Sequence, residues 1–277
     1  MAALHFHTYG KTGVRLTQIL RDGARHEVVE LNVSVLFEGE FDSTYLTGDN
    51  SKILPTDTMK NTVYVVASKN PVRSIEQFSI HLGEHFLTRL DHLQRVTIEI
   101  LQTPWSRIGT HDAAFEQTGG GLRHTKLVAT RTDRQLVSGL RNLEILKTSR
   151  SAFAGFLKDE YTSLPETHDR LFGTVLEADW TYHSDDVQHE YNHFAFEIRQ
   201  TLLDAFALHD SLSVQHTLLA MGKQALERFE AITEIHLVMP NKHRLLVDLG
   251  RWGMQNANQI FVPTDEPSGY IEARLKR

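Results

Sequence analysis

The sequence predicts an α+β protein: an antiparallel sheet covered by helices on one face, built twice in tandem. Three observations lead there. The order strand, strand, helix, helix, strand, strand occurs on each side of Thr132-Asp133-Arg134. The helical stretches each carry a single apolar face, so each has one side to bury. The strands come in runs and do not alternate singly with helices, which favours segregated layers over a parallel α/β sheet. The expected domains are residues 1–134 and 135–277.

From Leu4 to Glu38 the chain reads as two long strands, with a turn signal at Asp22-Gly23 and a Val- and Leu-rich stretch from Val28 to Phe37. Gly48-Asp49-Asn50-Ser51 is loop-like. A helix is expected to open at Thr56-Asp57-Thr58, whose side-chain oxygens suit free first-turn N–H groups. The next helix has Ser74 three residues before Gln77, a capping-box spacing, and Ile75, Phe78, Leu82, Phe86 and Leu90 along one face. Strands follow at Val96–Leu101 and Leu122–Thr132. In the second half, strands are expected at Leu136–Lys147 and Thr174–Tyr182. Helices are expected at Glu190–Leu208, with Tyr191, Phe194, Ile198, Leu202 and Ala205 aligned, and at Val214–Phe229, with Val214, Leu218, Met221, Ala225 and Phe229 aligned. Ile235–Met239 and Leu245–Leu249 are the expected closing strands.

Composition excludes several classes. The 277 residues carry 29 Lys+Arg against 35 Asp+Glu, a formal charge of −6, with no basic block; binding to nucleic acid through bulk electrostatics is not expected. The longest apolar run is Val63–Ala67, far short of the roughly 20 residues of a membrane helix. The start, Met1-Ala2-Ala3-Leu4-His5, shows no basic and apolar leader pattern. With no cysteine there are no disulfides, thiolate metal ligands or cysteine nucleophiles.

The 16 histidines require a test for metal sites. His189-Glu190-Tyr191-Asn192-His193 fits H-E-x-x-H, in which two His hold zinc and the Glu activates water. The extended form wants Gly and His where this chain has Phe196 and Arg199, so a solvated helix start is the simpler reading. His5 and His7 with His26, and the pair His81 and His85, are explained by strand and helix spacing alone. Lys11 reads as a surface lysine, and Asp169-Arg170 beside Glu166 as a surface ion pair.

In order along the chain, however, these pieces form a set. Tyr9-Gly10-Lys11 comes first, then Thr56-Asp57-Thr58-Met59-Lys60-Asn61-Thr62-Val63-Tyr64. Phe153-Ala154-Gly155-Phe156-Leu157-Lys158-Asp159-Glu160-Tyr161-Thr162 and Glu166-Thr167-His168-Asp169-Arg170 follow. Ser213-Val214-Gln215 and Pro240-Asn241-Lys242-His243, the latter leading to Val247-Asp248-Leu249, complete it. From about Tyr9 to Ala273 the sequence resembles the urate oxidase (uricase) family. The resemblance implies two tandem tunnelling-fold domains, each ββααββ, in a homotetramer whose sites lie where subunits meet.

It also implies a cofactor-free and metal-free oxidation of urate by dioxygen to 5-hydroxyisourate and hydrogen peroxide. Arg170 and Gln215 then hold the purine edge, the Val214 N–H contacts the ring, and Phe153 stacks on its face. Lys11, Thr56 and His243 match the proton relay. Asn241 and Thr56 flank the dioxygen or water position, and Asp57 contacts substrate through its backbone. Thr56 and Asp57 come from the neighbouring subunit. The chain departs from the family at Ala154, where many members carry an aromatic residue or a histidine. It also ends Ala273-Arg274-Leu275-Lys276-Arg277 and not in a peroxisomal tripeptide, so a bacterial, cytoplasmic protein is expected. The alternatives are a non-catalytic purine-binding member, a tunnelling-fold enzyme acting on pterins, and a zinc hydrolase using His189, Glu190 and His193.

Overall fold

A computed structural model describes residues 3–183, 190–264 and 266–277. The chain forms two compact units: the described residues within Met1–Gly139 and Ser184–His193, and those within Leu140–His183 and Phe194–Arg277.

In the first unit, β1 (Tyr9–Asp22) and β2 (Arg25–Gly39) form a long antiparallel hairpin, with Asp22 opposite Arg25 and Tyr9 opposite Phe37. Gly23 turns the chain at φ +57°, a conformation that costs other residues a Cβ clash. A short α1 (Asp42–Leu46) precedes α2 (Thr56–Lys69) and α3 (Ile75–Arg89). The sheet resumes with β3 (Leu93–Thr103); β4 (Trp105–Arg107) and β5 (Phe115–Gln117) form a small separate hairpin that the sequence did not suggest. Then come β6 (Leu122–Ala129) and β7 (Arg134–Lys147), the latter continuing into the second unit. The strand order is β1-β2-β3-β6-β7.

One sheet face buries Leu31, Val33, Val35 and Phe37 of β2, and Val96, Ile98 and Ile100 of β3. α2 covers β1, and α3 covers β3 and β6. Their buried stripes are Met59, Val63 and Val66, and Ile75, Phe78, Leu82 and Phe86. Gly83 brings α3 close to the sheet: a Cβ there would stand 2.9 Å from Leu127 Cδ2. Ser74 accepts from Gln77 N–H at 3.2 Å, the cap expected from spacing. The cap expected at Thr56-Asp57-Thr58 does not form. Pro55 is the N-cap residue of α2, with no side-chain cap, because the polar residues already lie inside the first turn.

The second unit repeats the plan with β8 (Phe172–Tyr182), α4 (Tyr191–Leu208), α5 (Val214–Arg228) and β9 (Ile232–Val238). β10 (Asn241–Lys242) pairs with β8. β11 (Arg244–Leu246) and β12 (Phe261–Pro263) pair only with each other, and β13 (Glu272–Lys276) pairs with β9. The strand order is β7-β8-β9-β13. The expected closing strand Leu245–Leu249 is therefore not the sheet strand. Leu245 and Leu246 are exposed on the β11–β12 arm, and β13, whose Leu275 lies under Gly222 of α5, closes the sheet. Alternation alone does not tell an arm from a sheet strand.

No helix among the described residues is long and apolar enough to cross a membrane. His189 lies outside the described residues. Glu190 precedes α4 and His193 lies in its first turn, and among the described residues no three metal-ligating side chains converge.

Candidate active site

In the second unit, three backbone segments are laced together. Ala152 N–H donates to Ser211 O at 2.7 Å, and Arg170 N–H donates to Ser151 O at 2.8 Å. Phe153 and Thr167 exchange both backbone hydrogen bonds, at 2.8 and 3.0 Å. Paired backbone groups of this kind hold a loop where it carries function. Phe153 stacks on Phe156, with centroids 4.8 Å apart and planes 15° apart. The Arg170 guanidinium carbon lies 5.3 Å from the Phe153 ring centroid.

Arg170 does not make the surface ion pair expected of it. Glu166 is bound by Lys158 at 2.8 Å, and Arg170 faces no carboxylate among the described residues. Its Nε is buried with no partner, and burial lowers its pKa from the usual guanidinium value. An unmatched, half-buried fork of donors over an aromatic face has the chemistry to receive a planar anion.

Beside it opens a cavity of about 400 Å³ whose wall includes Phe153, Thr167, Arg170, Asn241, His243 and Phe261. β10 brings Asn241 there, through its register opposite Thr174 and its N–H bond to Gly269 O at 2.8 Å. His243 follows at once, its carbonyl accepting from Thr264 N–H at 3.0 Å. Phe261 has no signal in the sequence that would mark it, since it arrives from the far end of the β11–β12 arm.

Val214 and Gln215 are not among the residues lining this cavity. They form the first turn of α5, Val214 buried and Gln215 exposed. Ser213 accepts from His216 N–H at 3.1 Å, which leaves the N–H groups of Val214 and Gln215 for an outside acceptor at the positive helix end. Ser211, bonded to Ala152, ties this helix entrance to the Phe153 loop.

The remaining candidates lie in the first unit. Lys11 sits on β1 opposite Val35, beside a bulge that ends at Val14. It is half-buried where a surface lysine is expected, and forms no ion pair among the described residues. Gly10 fixes the strand's position, since a Cβ there would fall 1.9 Å from Val35 O. Thr56 opens α2 with its hydroxyl unpartnered among the described residues. Asp57 binds Lys60 at 2.5 Å and Asn61 at 3.0 Å. The Lys60 hydrogen bond, then the Lys60 charge, and more weakly the Lys11 charge hold its carboxyl below the usual range, so Lys11 and Asp57 lie within electrostatic reach.

Comparison with known proteins gives one family. The family model described as Uricase matches residues 7–132 and 136–272. A uricase of Dictyostelium discoideum is 40% identical, with 100% of this chain and 98% of that one aligned. A uricase of Arthrobacter globiformis is 38% identical, with 97% and 88% aligned. The crystal structure of uricase from Arthrobacter globiformis superimposes with a TM-score of 0.95 at 37% identity, over 100% of this chain and 96% of that chain.

Proposed function

The chain belongs to the uricase family, and from that premise we propose that it oxidises urate with dioxygen and water to 5-hydroxyisourate and hydrogen peroxide. The observation that carries the proposal is the unpaired Arg170 guanidinium over the Phe153 ring, on the wall of a cavity shared with Asn241 and His243. A urate anion is flat and offers an oxygen and a ring nitrogen to a guanidinium fork, while its face stacks on an aromatic ring. The Gln215 side-chain amide supplies a donor and an acceptor in one plane, and the Val214 N–H adds a further donor.

In this reading Lys11, Thr56 and His243 move protons. Urate must lose protons before it becomes electron-rich enough to reduce dioxygen, and peroxide must leave protonated. A lysine amine can accept a proton, a threonine hydroxyl can pass one, and a histidine ring can do either near neutral pH. Asn241 and Thr56 flank the dioxygen or water position, and Asp57 contacts substrate through its backbone. Overall, urate, dioxygen and water become 5-hydroxyisourate and hydrogen peroxide, with the hydroxyl oxygen taken from water. The reaction needs no metal or organic cofactor, because urate itself supplies both electrons.

We place the activity in a cytoplasmic homotetramer in which Thr56 and Asp57 of one copy, with Lys11 of that same copy within electrostatic reach of Asp57, complete the site of another. The exposed Leu245, Leu246, Trp252 and Ile260 near the β11–β12 arm suit burial between copies. Urate absorbance and peroxide, followed together with and without a chelator, test the reading. Equal urate loss and peroxide release, unaffected by chelator, is expected. Urate left intact by the assembled protein overturns it and leaves purine binding without catalysis.

A further inference from the structure

Lys11 and Thr56 belong to different elements, and one side chain joins the segments that carry them. Leu54 N–H donates to the phenolic oxygen of Tyr9 at 3.1 Å. Tyr9 stands two positions before Lys11 on β1, and Leu54 two positions before Thr56. Between Leu54 and Thr56 is Pro55, which has no N–H, sits at φ −55°, and gives α2 no side-chain cap. The Tyr9–Leu54 bond is therefore the last donor-based tether before the helix that begins with Thr56.

The tether is stiff at both ends. The Tyr9 ring meets Phe37 and Phe41 edge-on, with centroids 5.9 and 4.8 Å apart, and both phenylalanines are fully buried. Upstream, the His92 ring bonds Lys52 O at 2.7 Å and Lys52 pairs with Glu40 at 2.7 Å. Ile53 N–H donates to Asn50 O at 2.9 Å. On the β1 side, Gly10 is pressed against Val35 O, so the strand cannot slide.

We infer that Tyr9 is a positioning residue for the proton relay: its phenolic oxygen, through Leu54 N–H, sets the distance between the Thr56 hydroxyl and the Lys11 amine. The inference rests on the urate reading and adds a residue to it. In this reading Tyr9 is given no contact with the substrate. It acts on the relay and leaves the purine-holding groups, which stand on the Phe153 loop, β10 and α5, untouched.

Tyr9→Phe removes the oxygen and keeps the ring. The measurements are kcat and KM for urate, the dissociation constant of xanthine as a competing purine, and Tm. Phe86→Leu is the control, because it loosens the core behind Phe37, whose ring is 4.9 Å from Phe86, without touching the oxygen. Tyr9→Phe is expected to lower kcat about tenfold, within what a small misplacement of reacting groups costs. Its xanthine affinity stays within about twofold of the wild type. Phe86→Leu is expected to lower Tm and keep kcat. An unchanged kcat in Tyr9→Phe, a parallel loss of xanthine affinity, or an equal loss of kcat in Phe86→Leu each overturns the inference while the urate reading stands. A wild-type protein that does not consume urate overturns that reading and this inference with it.

Discussion

Arg170 holds its guanidinium carbon 5.3 Å from the centroid of the Phe153 ring, with a buried, unpartnered Nε and no carboxylate opposite it among the described residues. A desolvated cation without a counter-ion is a cost to the folded chain. Two residues whose backbones are hydrogen-bonded into the same laced loops keep that arrangement in place. The free protein therefore carries a cost that an anion bound there would remove.

The first expected outcome concerns that cation. Arg170→Gln should leave Tm unchanged or slightly higher, since an unmatched buried charge disappears. It should raise the urate KM steeply, because hydrogen bonds to charged groups are worth about 1.5–3 kcal/mol each and two are lost. A factor of about one hundred or more in KM is expected. Steady-state kinetics and a melting curve on the same preparation check both halves.

Ser74 and Ser213 cap helices of equal length in the two units, each accepting an N–H three residues on. Replacing either by Ala should cost about 0.5–2 kcal/mol of stability. If Val214 and Gln215 hold the purine as proposed, only Ser213→Ala should also raise the urate KM, because only α5 begins with those two residues. Equal KM changes in both variants would place substrate binding elsewhere.

How much of this was legible in the sequence depends on the kind of signal. Ser74 and Gln77, and the apolar stripe from Ile75 to Phe86, follow from local geometry and appear as expected. The hairpin turn at Gly23 does too. Leu245 and Leu246 read in the sequence as part of a sheet strand, because a strand in a separate two-stranded arm and a strand in the main sheet share one alternation; only the distant Glu272–Lys276 segment decides between them. Arg170 read as half of an ion pair because Asp169 and Glu166 are its sequence neighbours. In the fold Glu166 turns to Lys158 and leaves Arg170 unmatched. The Tyr9–Leu54 bond spans 45 positions, and no local pattern announces it.

Acid should weaken the fold before it protonates the carboxylates. Burial, followed by the nearby His216 and Lys147 charges, depresses the His209 pKa, and burial, followed by Arg89 and Lys69, depresses that of His85. A depressed histidine binds its proton more readily in the unfolded chain. Its contribution is thus fully present above the unfolded pKa of about 6.5 and is lost as pH falls through the lower folded value. Tm should fall below pH of about 6.5, and His209→Gln should flatten that slope relative to the wild type. A wild-type Tm that is level across this interval would show that neither ring stays neutral in the fold.

A large effect on stability is expected in the first unit, at Glu76. Its side chain is fully buried; one oxygen accepts from Arg123 Nη2 at 2.7 Å and from Ser138 Oγ at 2.8 Å, while the other has no partner. Arg123 also donates to Asn192, whose own amide donates to Arg73 O at 2.6 Å, so within the first unit the pair ties the head of α3 to the Asn192 segment. Arg123→Met should be severe, because breaking a buried pair leaves one charge uncompensated at a cost of about 3–5 kcal/mol. In chains of this size that corresponds to a Tm loss of about 6–20 °C. Arg123→Met with Glu76→Leu should recover much of the loss, since apolar replacement of both partners removes the stranded charge. If the double variant melts as low as Arg123→Met alone, the tie through Asn192, and not the charge pair, is what holds this end of the unit.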